Sequence, residues 1–243
     1  MNNKTAEGEF LLDDSSNYDD TVYASANNTV DICINRFNAD TNQVEVLLIK
    51  RKHNPFKDCW AIPGGFIDLK DNEAMDVAAL RELSEETGVS NVPIRKLTFE
   101  GNIERDPRKY TITGVYYSVL DQSMLSTQQI EAKDDAIDWG WFPLNDLPNK
   151  LAFDHAKILD ILVRRFKIKI KYSDIAFEFI GKEFTLSGLR KVYESILGRD
   201  LLATNFGKYI NTKFNITATG GLAMASRGRP SRIYTLDGIK EEI

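Results

Sequence analysis

Residues 60–89 read WAIPGGFIDLKDNEAMDVAALRELSEETGV, and the spacing of their acidic and small residues decides how the rest of the chain is arranged. After a short acidic connection comes a helical run holding Glu73, Arg81, Glu82, Glu85, Glu86 and Gly88. Neighbours on one helix face are three and four residues apart, so Glu82, Glu85 and Glu86 project to one side within a single turn. The opposite side carries Val77, Leu80, Leu83 and Thr87, a stripe suited to packing on a sheet. Met75, Ala78 and Ala79 share the acidic side, and the two alanines leave room for backbone to come close. Asp71 or Asn72 would cap the start, and Gly88 suits the left-handed residue just past the end. Upstream, Trp60 to Pro63 reads as a short strand feeding a Gly64-Gly65 turn, where missing side chains let backbone carbonyls approach an ion.

Like charges one turn apart destabilise an isolated helix by a few tenths of a kcal/mol per pair, roughly. A cation between the carboxylates explains the cluster most simply, and Mg²⁺ (or Mn²⁺) suits carboxylate, water and phosphate oxygens. A solvated acidic face is the bland alternative. The whole stretch, however, resembles the Nudix box: a Gly, a Glu, seven residues, Arg-Glu, an aliphatic residue, any residue, Glu-Glu, any residue, Gly and an aliphatic residue. Glu73 through Val89 match every defined position. The departure is that Gly65 to Glu73 spans two residues more than the family spacing; the excess falls in a loop around Leu69 to Asn72, where insertion costs little. The resemblance implies catalytic roles for Arg81, Glu82, Glu85 and Glu86, with the metal held by Glu82, Glu85, Glu86 and a carbonyl at Gly65.

The 243 residues, 42% of them hydrophobic, allow one large or two modest domains with a buried core. No apolar run approaches the roughly 20 residues that cross a bilayer, so no membrane partner is expected. The polar, acidic stretch Met1 to Asp20 reads as flexible and is neither a signal nor a transit peptide. Cys33 and Cys59 are too few for a disulfide framework, which points to a reduced cytoplasm. Charge divides unevenly: residues 1–160 carry 16 Lys+Arg against 28 Asp+Glu (−12), residues 161–243 carry 15 against 8 (+7). That asymmetry suggests two units with different partners.

Thr29–Phe37 and Val44–Ile49 read as strands joined by a turn, followed by the basic cluster Lys50, Arg51, Lys52 and His53. Arg51 is a candidate for adding positive field near a phosphate. Ile94–Gly101 and Tyr110–Leu120 read as a hairpin whose connector holds Arg105, Asp106, Pro107 and Arg108. Arg105 and Arg108 suit forked hydrogen bonds to a diphosphate or ribose phosphate. Glu131, Asp134 and Asp135 precede the strand Asp138–Phe142, and the Nudix resemblance makes Glu131 the first candidate for general base. A helix from Asp154 to about Lys167 follows, with Asp154 as cap and His155 as a first-turn packing or capping residue.

The first domain is thus expected over residues 1–166 and a second over 167–243, the join marked by Lys167, Lys169 and Lys171. In the second, Ser173–Ile180 reads as a helix, Thr185 caps Leu186–Leu197 before Gly198, and Thr204 or Asn205 caps a third helix to about Phe214. Phe206, Tyr209 and Ile210 make its buried stripe; Asn205, Lys208 and Thr212 share the outward face. Strands Ile216–Ala218 and Arg232–Leu236 flank a loop with Arg227, Gly228, Arg229 and Pro230. Three short helices and a basic hairpin describe a winged helix-turn-helix, with Asn205, Lys208, Thr212, Arg227, Arg229 and Arg232 as DNA-binding candidates. A helical domain for dimerisation or protein binding is the alternative.

Taken together, Arg-Asp-Pro-Arg, Leu-Ala-Phe-Asp-His and Arg-Gly-Arg-Pro in this order resemble the NrtR-type regulators. The resemblance implies an α+β protein: an N-terminal Nudix α/β/α sandwich with a mixed sheet and a C-terminal winged helix-turn-helix. It further implies ADP-ribose or a related nucleoside diphosphate as ligand, double-stranded operator DNA as partner, and a homodimer. Because the box is intact, Mg²⁺-dependent hydrolysis of ADP-ribose stays chemically open. An ADP-ribose pyrophosphatase whose second domain does not bind DNA is the other reading.

Overall fold

The structure is a computed structural model and describes residues 25–133, 135–223 and 230–240. The stretch expected to be flexible, residues 1–20, lies outside them. Strand β1 (Asn27–Asn38) is the centre of the first domain. It runs parallel to β6 (Thr111–Leu120) along its length. On its other edge it pairs antiparallel with β4 (Gly64–Phe66) and then β2 (Gln43–Arg51). β2 in turn pairs with β3 (Trp60–Ala61) and β7 (Ala136–Pro143), and β5 (Arg95–Asn102) closes the far edge against β6.

Alternation along β1 sorts side chains to two faces. Val30, Ile32 and Ile34 pack with Leu47 and Tyr116 under helix α1 (Met75–Thr87), meeting Ala78, Ala79 and Leu83. Cys33 turns the other way with Val44, Val46, Val115, Tyr117 and Val119, under Ile158, Leu159, Leu162 and Phe166 of helix α3 (His155–Lys169). Between these helices lies the short α2 (Gln122–Leu125), started by Asp121, whose carboxylate accepts from the Met124 N–H at 2.8 Å. The first domain is therefore the α/β/α sandwich with a mixed sheet.

α1 is rotated from its expected setting. Val77 and Leu80 are 55% and 37% exposed, while Ala78, Ala79, Leu83, Glu86 and Thr87 are buried. The two alanines bring the helix close to the sheet, and that setting carries Glu86 inward at the cost of exposing the Val77 side. The helix begins after Ala74 with no side-chain cap, not at Asp71 or Asn72. The inserted loop closes on itself instead: Asp68 Oδ1 accepts from the Lys70 N–H at 2.9 Å, and Glu73 Oε2 from the Asp68 N–H at 2.9 Å. Gly88 does end the helix, at φ 74°.

The second domain holds α4 (Ile175–Glu178), shorter than its expected span, then α5 (Leu186–Leu197) and α6 (Ala203–Lys213). Thr185 caps α5 by accepting from the Gly188 N–H at 3.0 Å, and Gly198 stops it in the left-handed region. α6 starts after Leu202 without a side-chain cap, so Thr204 and Asn205 lie in its first turn. Strands β9 (Phe214–Ala223) and β10 (Ser231–Ile239) are longer than their sequence pattern suggested. A third strand, β8 (Glu183–Thr185), joins the sheet in the order β8-β10-β9, completing the winged-helix arrangement.

One apolar core runs through both domains: Phe166 meets Phe179 at 5.5 Å, and Phe177 meets Phe184 and Phe214 at 5.1 and 4.8 Å. The boundary expected at residue 167 falls inside the last turn of α3. α5 also reaches the sheet directly, since Ser195 Oγ accepts from the Val44 N–H at 2.8 Å and its carbonyl accepts from Asn145 Nδ2 at 3.0 Å. Ser195→Ala should therefore strand a buried N–H and lower stability by about 1–3 kcal/mol in urea denaturation, whereas an unpinned joint would show no change. No helix among the described residues is long and apolar enough to cross a membrane.

Candidate functional site

β4 and α1 meet along the box. Gly64 and Gly65 form a strand where the sequence suggested a turn, because β1 supplies ladder partners for them. Both glycines answer to close approach: a Cβ on Gly64 would lie 2.1 Å from the Val30 carbonyl, and one on Gly65 would lie 2.4 Å from the Glu82 carboxylate. The Gly64 N–H donates to Glu86 at 2.8 Å.

Arg81 ties the box together. It donates to Glu73 at 2.7 and 2.9 Å, to Glu82 and Glu85 at 2.9 Å each, and to the Phe66 carbonyl at 3.0 Å. Hydrogen bonds from Arg81 and from the Asp68 N–H hold the Glu73 carboxyl low, at about 2. Burial raises Glu82, and burial with Glu82 alongside pushes Glu86 up to about 8 against the Gly64 bond and Arg51. Glu85, drawn outward by Arg81, is half-exposed and does not line the cleft. The three carboxylates thus divide: Glu82 and Glu86 line the cleft, while Glu85 stays outside it on Arg81, which also holds Glu82.

The cleft beside them encloses about 210 Å³ and is walled by Glu82, Glu86, Arg51, Arg108, Asp135 and Phe66, among others. Beneath it lies a buried charge network. Asp31 accepts from Arg105 and, at 2.7 Å, from the Thr113 hydroxyl, and it lies 3.4 Å from His155 Nε2. The Ile62 N–H donates to His155 Nδ1 at 2.9 Å, which leaves the Nε2 proton for Asp31. Burial alone would raise Asp31, but His155, Arg105 and Thr113 outweigh it and hold the carboxyl at about 2. Arg105 also faces Asp154 at 3.3 Å. Arg105 reaches the cleft wall, yet it is only 4% exposed and its fork is taken by two carboxylates, so it braces the floor instead of presenting a free fork to a phosphate.

Arg51 and Arg108 do present themselves to the cleft. Arg51 donates to the Pro55 carbonyl at 2.9 Å and lies over the Phe153 ring at 5.0 Å. Arg108 is held by Asp106 at 2.7–3.2 Å and lies over the Phe66 ring at 5.4 Å. Glu131 is not brought to the cleft: it is 59% exposed and pairs with Lys133 at 2.8 Å. Asp135, four residues on, takes the place on the wall.

Among the described residues no three His, Cys, Asp or Glu side chains gather closely enough to hold a metal ion by themselves. Two inward carboxylates and the side-chain-free space at Gly65 fit a hard divalent ion that keeps several waters and shares its shell with phosphate oxygens. In the second domain, α6 buries Phe206 and Ile210 and exposes Asn205, Lys208 and Thr212 on its outer face, as their spacing predicted. Arg232 is exposed on β10, while Arg227 and Arg229 lie outside the described residues.

Residues 27–162 match the NUDIX domain family. The chain belongs to the Nudix family. Residues 176–236 match the NrtR DNA-binding winged helix domain, so this Nudix protein carries the NrtR domain pair. It is 31% identical over 233 residues to the ADPR responsive transcriptional repressor NtrR of Acinetobacter baylyi, covering 96% of this chain and 89% of that one. The structure resembles Shewanella oneidensis NrtR complexed with a 27mer DNA, with TM-score 0.69 and 30% identity over 86% of this chain and 93% of that one. It also resembles the NUDIX domain of that NrtR complexed with ADP ribose, with TM-score 0.54 and 32% identity over 65% and 97% of the respective chains.

Asp31, Phe66 and Phe153 also line the cleft of this Nudix protein, though none of them is a candidate site residue by its sequence pattern. Asp31 left a signal, a lone acid inside an apolar alternating strand, which needs a buried partner to be tolerated. Phe153 left only its place in Leu-Ala-Phe-Asp-His, since its φ of 50°, rare for a bulky residue, is invisible before folding.

Proposed function

We propose that this Nudix protein is a transcriptional repressor whose hold on operator DNA responds to ADP-ribose bound in the cleft. One observation carries the reading. α3 places His155 at the cleft and Phe166 in the core shared with the winged helix, so one helix runs from the cleft into the packing of the second domain. A ligand that prefers one setting of α3 biases the DNA-binding domain by that preference. Asn205, Lys208 and Thr212 would enter the major groove, with Arg227, Arg229 and Arg232 at backbone or minor groove. Two copies across a palindromic site, working in the cytoplasm, complete the picture.

A gel shift on DNA from upstream of the protein's own gene tests this. Binding that weakens steeply with salt and is released by ADP-ribose is the expected result. Salt-insensitive binding, or binding indifferent to ADP-ribose, would overturn it.

The intact box supports a second activity in the same cleft, hydrolysis of ADP-ribose and water to AMP and ribose 5-phosphate. Mg²⁺ or Mn²⁺ held by Glu82, Glu86 and the Gly65 carbonyl would neutralise the diphosphate and lower the pKa of a bound water. Arg81 fixes Glu82 and ties Glu85 to the brace, Arg51 and Arg108 would add positive field, and Asp135, on the cleft wall, would take the proton-accepting role the sequence had suggested for Glu131.

A further inference from the structure

Two phenylalanines line the cleft, and they differ in what already covers them. Around Phe153, Arg51 lies at 5.0 Å, Phe56 at 4.8 Å and His155 at 5.3 Å, so its partly buried ring already has three partners within the protein. Phe66 is 47% exposed, and among the described residues Arg108 at 5.4 Å is the one ring or cation set against it. A half-bare aromatic beside a charged cleft gains nothing from water and is suited to a flat ligand.

Both members of the pair are held rigidly. Phe66 sits in β4 opposite Thr29, and its carbonyl accepts from Arg81 at 3.0 Å, so its backbone is tied to the box. Arg108 uses Nε and Nη2 on the carboxylate of Asp106, itself buried, which fixes the guanidinium plane. A gap of 5.4 Å admits no ring between the two, since stacked planes need about 3.5 Å on each side. The open face of Phe66 is what remains.

We propose that Phe66, steadied by Arg108, is the platform on which the nucleobase of the ligand stacks, and that it gives the cleft its preference for nucleoside diphosphates over diphosphates without a base. The proposal rests on the reading of this cleft as a nucleoside diphosphate site. Phe66 follows Gly65 directly, so a ligand whose diphosphate lies over Glu82 and Glu86 has its base within reach of the ring. Stacking of a base on an aromatic side chain contributes roughly 1–3 kcal/mol and needs no particular base.

Calorimetric titration of the full chain with ADP-ribose in magnesium-free buffer, where turnover is suppressed, provides the test. Phe66→Leu keeps apolar bulk but loses the ring, and should bind about 10- to 100-fold more weakly with an unchanged thermal unfolding midpoint. Phe66→Trp should restore wild-type affinity or better. Wild-type affinity in Phe66→Leu, or Phe66→Trp as weak as Phe66→Leu, would overturn the platform while leaving the site reading intact. A wild-type chain that binds no ADP-ribose would overturn both.

Discussion

Arg105→Ala should lower the stability of the protein by about 3–5 kcal/mol, the largest single-residue effect expected outside the apolar core. Removing the guanidinium leaves the buried Asp31 with only His155 and the Thr113 hydroxyl, and takes from the partly buried Asp154 the cation it faces at 3.3 Å. Urea denaturation measures this, and a loss under 1 kcal/mol would show that water reaches the network. The pH dependence follows from Asp31, whose folded pKa of about 2 lies below its ordinary 3.8. A depressed carboxyl contributes stability that is present above about pH 4 and is lost as the pH falls through about 2. The gap between Arg105→Ala and wild type should therefore narrow over that window.

On the proposed hydrolytic reading of the cleft, Gly65→Ala should reduce metal-dependent AMP release from ADP-ribose by about 100-fold while leaving the protein folded. The added methyl would fall 2.4–2.5 Å from the Glu82 carboxylate, at the end of a side chain that can swing aside. Swinging aside takes Glu82 off both Arg81 and the metal position. Gly64→Ala meets backbone instead, the Val30 carbonyl at 2.1 Å, so it should loosen β4 from β1 and show first as lost stability. Equal turnover in Gly65→Ala and wild type would remove Glu82 from the metal site. Chromatographic measurement of AMP separates the cases.

These effects trace to features of unequal legibility. The existence of the box helix, its end at Gly88 and the whole of α5 from Thr185 to Gly198 are local matters, governed by spacing and caps, and they read correctly from the chain. The fate of charged residues is not local. Arg105 reads as a free loop arginine because its partner Asp31 lies 74 residues away. Glu85 reads as an equal of Glu82 and Glu86 until the fold leaves it half-exposed outside the cleft that the other two line. Val77 and Leu80 look buried by periodicity, yet two alanines win the sheet because a flat, small surface lets the helix approach. β8 is three residues long and exists only through its pairing with β10, so no periodic signal could announce it.

The parallel pairing of β1 with β6 has a consequence for how the protein is made. Residues 27–38 leave the ribosome early but remain without their central neighbour until residues 111–120 follow, and without the cover of α3 until residue 169. Contacts so distant along the chain close slowly, and exposed apolar strands invite aggregation while they wait. The first domain therefore stays unsealed until the chain has been made as far as the start of the winged helix.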